Sequence, residues 1–228
     1  MRTIFLASMA AVLLVPASTF SASLKPWVGL NGSWGTYSMS DINDKVRNIN
    51  SAIAGSGLSM KEIDNGFGLG GIAGVDLPAG ATFGLGYDHL FARTELGDAT
   101  GTLTFDFPAN AFRAIGEYKF RSASRFSPRL GVAGGLVSEA GSIDLSVTGG
   151  PSEKEDITGS GPLFEAYAGG ELWAAPQFAV TGSLGYRYAK VKEVKASGET
   201  VFNPDGSKSS VDYGGLLARL GLKFAFLP

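Results

Sequence analysis

The chain has 228 residues, with 19 Lys and Arg against 21 Asp and Glu, a formal net charge of −2. A hydrophobic share of 44% with only 18% charged residues excludes a disordered solvating chain. The near-neutral balance, with no clustered Lys/Arg stripe, argues against nucleic acid as a partner. With no Cys and one His, disulfide scaffolds, thiol nucleophiles, Cys-ligated zinc and multi-His metal sites are excluded, so no cofactor or metal is expected. The 33 Gly, about twice the usual share, and the abundant aromatics point to many closely packed strands and turns.

In chain order, the first element reads as a signal peptide over residues 1–23. Met1-Arg2 is a short basic start, Ile4 to Val15 an apolar run, Pro16 a break, and Ser21-Ala22-Ser23 the small residues that a signal peptidase needs, with cleavage after Ser21 or Ser23. Residues 24–228 read as one domain. No later run is apolar enough to cross a membrane as a helix, so a membrane-resident chain must be a closed barrel.

The remainder resolves by parity into eight strands, each with one apolar face and one small or polar face, the dyad pattern of a barrel with lipid outside and a polar lumen inside. Trp27 to Thr36 sets Val28, Leu30 and Trp34 against Gly29, Asn31 and Ser33. The long segment after it predicts a helix of roughly fourteen residues, as Ile42, Val46, Ile49 and Ile53 share one stripe. Ser40 is its expected N-cap, Asp41 and Asp44 lie in its first turn, and Ala54-Gly55 is its stop. Such a helix is marginal alone and is expected to cap the lumen, packing on Leu58, Met60 or Ile63.

Phe67 to Leu77 places Asp76 inward, and Phe83 to Phe91 does the same for Asp88 and Leu90. Phe112 to Phe120 turns Arg113, Glu117 and Lys119 inward, and Arg129 to Val137 adds Arg129. Phe164 to Leu172 contributes Glu165 and Glu171, Phe178 to Tyr188 contributes Arg187, and Leu216 to Phe226 contributes Arg219 and Lys223. Glu139 extends the same inward parity. The connections alternate between short (78–80, 121–127, 175–177) and long (38–66, 93–110, 138–161, 189–212). Leu103, Phe105 and Phe107, like Ile143, Leu145 and Val147, keep alternating inside two of the long ones, so strands are expected to run on beyond the membrane rim. Asn203-Pro204-Asp205-Gly206 is a turn signal in the last of them.

Together these features define an all-β fold: an eight-stranded antiparallel up-and-down transmembrane β-barrel with a short helix in the first external loop. The mature chain resembles the small bacterial outer-membrane barrels of the OmpA, OmpX, OmpW and opacity-protein type. That resemblance implies the outer membrane of a Gram-negative bacterium, contact with its lipid and lipopolysaccharide, and insertion by the barrel-assembly machinery. Leu220, Leu222, Phe224 and Phe226 resemble the terminal assembly signal of such proteins, although Leu227-Pro228 follow the aromatic.

Inward parity thus gathers six acids (Asp76, Asp88, Glu117, Glu139, Glu165, Glu171) and six bases (Arg113, Lys119, Arg129, Arg187, Arg219, Lys223). In a lumen only wide enough for side chains these should pair across strands as a structural plug, because unpaired buried charge costs several kcal/mol. No catalytic set is expected. His89 is outward with Tyr87 and Phe91, position 91 is not the Ser that a lipid A deacylase-like barrel would carry, and no G-x-S-x-G elbow occurs; His89 reads as an aromatic-belt residue. The expected function is non-enzymatic, structural or surface-interacting, with an unidentified extracellular ligand possible. The alternative is a small porin-like channel or an OmpW-type conduit for apolar compounds.

Overall fold

The computed structural model describes residues 24–98, 101–120, 125–203 and 205–226. The expected signal segment, part of the turn at 121–127, Pro204 and the terminal Leu227-Pro228 lie outside these. In chain order the elements are β1 (Lys25–Thr36), α1 (Ser40–Ala52), β2 (Asn65–Asp76), β3 (Ala81–Phe91), β4 (Arg93–Gly97), β5 (Gly101–Asp106), β6 (Ala109–Lys119), β7 (Phe126–Val147), β8 (Ser152–Ala175), β9 (Phe178–Val191), β10 (Lys195–Ala196), β11 (Glu199–Thr200), β12 (Val211–Asp212) and β13 (Gly215–Ala225). Strands β1, β2, β3, β6, β7, β8, β9 and β13 form a ring of eight, each antiparallel to the next, closed where β13 pairs with β1 from Trp27↔Ala225 to Gly35↔Leu217. Closure leaves no unpaired strand edge facing lipid, where each unmet backbone group would cost several kcal/mol.

The parity of the strands sets the two faces. Leu30, Leu69, Leu85, Val132, Leu184 and Leu220 point outward, Leu30 being 71% and Leu220 68% exposed to what in a membrane is hydrocarbon. Aromatic rings border this girdle: Trp34, Phe67, Phe91, Phe164 and Tyr188 on the loop side, and Tyr118, Phe120, Phe178, Phe224 and Phe226 on the turn side, the depth at which amphipathic rings are favoured. On β7 the girdle ends at Leu136; Ser138 and its register partner Ser160 begin a polar band above it.

Strands β7 and β8 stay paired far above that level, up to Ser146↔Ser152. Strand β5 adds to the upper part of β7 and β4 to β5, while β10 pairs with β8 and β11 with β10. The result is an external sheet. Its inner face carries Leu96, Leu103, Phe105, Ile143 and Ile157 onto an apolar core that fills the loop-side mouth, together with Met39, Ile42, Val46, Met60, Ile63, Leu90, Val137, Leu163, Val191 and Tyr213.

Helix α1 lies across this core, with Ile42 and Val46 buried and Ile49 half-buried in it. Its ends differ from the sequence expectation. Met39, at φ 25°, holds the N-cap position, and the Ser40 hydroxyl caps nothing, lying 3.4 Å from the Asp41 carboxylate. Tertiary anchoring overrides local capping here: Met39 is fully buried, and its N–H donates to Asp212 O at 3.1 Å. The helix stops at Ala52, with Ile53 at the C-cap. Its polar face also does more than meet solvent. Asn43 and Asn50 each pair a side-chain amide with a backbone peptide of the returning segment: Ile63 N–H donates to Asn43 Oδ1 at 2.8 Å and Met60 N–H to Asn50 Oδ1 at 2.7 Å, while the two Nδ2 groups donate to Ile63 O and Met60 O.

Leu220 lies halfway along β13 between the two aromatic borders. Leu220→Arg is expected to lower unfolding stability in lipid vesicles by about 2–4 kcal/mol, read from the urea midpoint. Thr104→Arg, on the outer polar face of the external sheet, should leave that midpoint unchanged.

Candidate functional site: the lumenal charge network

Inward-facing ionised groups stack in two tiers along the barrel axis. In the tier at the turn-side mouth, Lys119 Nζ lies 2.7 Å from Asp76 Oδ2 and 3.0 Å from Glu171 Oε1, and Lys223 Nζ lies 2.8 Å and 3.2 Å from the same two carboxylates. The Thr82 hydroxyl donates to Asp76 Oδ1 at 2.9 Å. Lys223 also stands 4.3 Å from the centroid of the Trp27 ring and 5.6 Å from that of Trp173, where each ring's negative face meets the ammonium. One step further in, Arg129 reaches Glu117 at 3.1 Å and Glu171 at 3.6 Å, and the Tyr167 hydroxyl donates to Glu117 Oε1 at 2.8 Å.

The second tier holds three guanidiniums and two carboxylates. Arg113 binds Asp88 directly and lies 3.8 Å from Glu165; Arg187 Nε donates to Glu165 at 2.9 Å; Arg219 donates to Glu165 at 2.8 Å and to Asp88 at 3.0 Å. Glycine on the facing strands makes room: a Cβ at Gly70 would overlap the Asp88 carboxylate, and one at Gly131 the Tyr167 ring.

Eleven of the twelve lumenal charges expected from parity therefore lie in ion pairs, and Glu139 does not. Its parity is right and its height is not. Its register neighbours are Ala109 and Gly159, with Leu90 beyond Ala109, so it enters the apolar cap above both tiers, 2% exposed and with no hydrogen bond to either carboxylate oxygen among the described residues. Burial pushes its carboxyl up to about 8, which keeps it protonated at neutral pH. Glu139 stands above the girdle, beyond the membrane-crossing part of β7.

Trp27, Asn31, Tyr167 and Tyr213 belong to the interior although the sequence reading gave them no role. Inward parity was their available signal. Tyr213 donates its hydroxyl to Phe107 O at 2.9 Å and meets Tyr37 edge-on at 5.5 Å, a floor between Glu139 and the second tier. Above the core, Asp41 ties α1 to the last loop, accepting from Ser210 N–H and from its hydroxyl, both at 2.9 Å, and from Asn203 at 3.2 Å. Burial opposes ionisation of this carboxyl, but those hydrogen bonds more than offset it and hold it below the usual range. His89 lies on the outer face, 3.0 Å from Asn110 Oδ1, to which Tyr87 also donates, and edge-on to Phe91 at 4.7 Å. Leu220, Leu222, Phe224 and Phe226 all lie exposed on the lipid face.

No family model and no curated protein matches the chain. Among solved structures it is similar to the outer membrane protein OprG from Pseudomonas aeruginosa, with a TM-score of 0.51 and 13% identity over 91% of this chain and 97% of that one. Neisserial surface protein A (NspA) gives 0.49 and 17% over 88% and 97%, and the attachment invasion locus protein Ail of Yersinia pestis, solved with the heparin analogue sucrose octasulfate, 0.47 and 14% over 90% and 99%. The closed ring and the OprG likeness show the fold of a small eight-stranded outer-membrane β-barrel.

Glu165→Gln strands three guanidiniums on one remaining carboxylate and is expected to cost about 3–5 kcal/mol, measured by urea unfolding in detergent. Glu139→Leu removes an unpaired buried carboxyl and should raise the midpoint. The sign with pH follows from a folded-state pKa raised above the unfolded value: the folded chain holds a proton that the unfolded chain releases, so this contribution to stability falls as pH rises from about 4.5 towards about 8. Glu139→Leu should flatten that part of the profile.

Proposed function

We propose that the chain is a non-enzymatic structural and surface-interacting barrel rather than an open pore. The observation carrying this reading is the filled interior: two ion-pair tiers stacked beneath an apolar plug and α1, occupying a lumen that eight strands make only wide enough for side chains. What remains available to partners is the outside. Lipid and lipopolysaccharide meet the girdle, the barrel-assembly machinery meets the β13 signal during insertion, and an extracellular ligand would meet the external sheet, whose outer face presents Arg93, Glu95, Asp144 and Lys154.

One observation supports a second reading, a conduit for apolar compounds: the loop-side interior is lined by Leu90, Ala111, Val137, Leu163 and Ala189, and α1 is its lid. Conductance and uptake separate the two. In planar bilayers the purified barrel is expected to show no steady open-channel current at neutral pH, and deletion of residues 40–57 should not produce selective uptake of an apolar probe into loaded vesicles. A stable unitary conductance in the native chain would refute the plugged-barrel reading, and probe uptake gained on deletion would favour the conduit.

A further inference from the structure

Between the two charge tiers lies a small cavity of about 40 Å³, bounded among others by Trp27, Asn31, Arg129, Ser183 and Arg219. Four of the buried polar atoms left without a hydrogen-bond partner among the described residues belong to side chains that bound it: Trp27 Nε1, Arg129 Nε, Arg219 Nε and Asn31 Oδ1. Three of the four are N–H donors, two of them on guanidiniums. A buried donor left without an acceptor loses its hydration with nothing in return, so three beside one cavity call for a shared acceptor. The charge arrangement asks for the same thing. The turn-side tier is balanced, with Asp76, Glu117 and Glu171 against Lys119, Arg129 and Lys223, whereas the second tier sets Arg113, Arg187 and Arg219 against Asp88 and Glu165 alone. The sixth acid, Glu139, is in the apolar cap behind Tyr37 and Tyr213 and cannot neutralise the surplus from there.

We propose that this cavity binds one small monovalent anion of halide size, held by the N–H groups of Trp27, Arg129 and Arg219 and balancing the surplus positive charge of the lumen. Water would satisfy the donors but not the charge. A cavity of this volume has room for roughly three water-sized groups, which suits a halide with one or two waters, the latter meeting Asn31 Oδ1. A doubly charged oxyanion would overshoot the balance by one.

The direct test is anomalous diffraction from the full folded barrel crystallised in sodium bromide. A bromide peak in contact with the three donors is expected; an ordered site containing water only, with no anomalous signal, would overturn the proposal. In solution, the heat-unfolding midpoint in detergent should rise saturably with sodium chloride and stay flat with sodium gluconate at equal ionic strength; equal responses to the two salts would also overturn it. Trp27→Phe keeps the ring over Lys223 but removes one donor, and should raise the chloride concentration for half-effect about tenfold. Ser183→Asp places a fixed carboxylate in the cavity wall; it should abolish the chloride response and hold the midpoint at the chloride-saturated value. A Ser183→Asp barrel still as chloride-dependent as the native chain would count against the site even if Trp27→Phe failed to fold.

Discussion

Charge enclosed in a narrow tube has to find its opposite within one side-chain length. Eight strands leave no aqueous path in which Arg and Lys could be screened, and lipid outside gives them no alternative face. The placement of glycine opposite Asp88 and Tyr167, the inward Trp27 ring under Lys223 and the bidentate reach of Arg219 all serve this one requirement. The strand register serves it as well. A slip of one residue in a strand that carries them would send its lumenal charges into hydrocarbon and bring its outward apolar side chains inside, so the ion pairs and the girdle specify the same register from opposite sides of the wall.

The loop-side half of the molecule is organised differently. There the interior is apolar, and side-chain amides rather than charges supply the specificity. Asn43 and Asn50, seven residues apart on α1, engage peptides three residues apart, so that helical and extended spacing come into step and the returning segment is held as a pseudo-strand along the helix. The charged lumen and the apolar mouth are stabilised by different physics, and reagents that weaken one need not weaken the other. High salt acts little on pairs this buried, whereas urea acts on the mouth and the peptide bonds together.

Much of this was legible in the sequence because a barrel strand repeats every two residues, and two states of facing can be read from a string of letters. Parity placed Arg113, Arg187 and Arg219 correctly without any knowledge of their partners. It could not place them in height, since the stagger between strands is set by pairing across the ring, and Glu139 shows the difference: it faces inward as its parity requires, but at a level where its neighbours are Leu90 and Ala109. The N-terminus of α1 departs from the sequence expectation for a related reason. Local capping rules favour Ser40, but the burial of Met39 and the bond to Asp212, distant in sequence, decide where the helix begins. The extension of β7 and β8 beyond the rim was visible as continued alternation at Ile143 and Leu145, whereas the sheet it builds with β4 and β5 was not, because which strands become neighbours is not a local property.

The last strand of the ring bears on how the ring is assembled. Strand β13 brings two cations, Arg219 and Lys223, and no acid into the lumen. Without it, the remaining strands of the two tiers carry the five carboxylates Asp76, Asp88, Glu117, Glu165 and Glu171 against four cations, so the interior of an open seven-stranded curl is a net negative trough into which β13 must turn its cations. Pairing β1 with β13 joins the two ends of the chain and is the most distant contact in sequence, so loop-closure entropy makes it the slowest to form by chance. Attraction between that trough and the two incoming cations both hastens the closure and orients it, because the opposite facing of β13 would leave the trough unfilled.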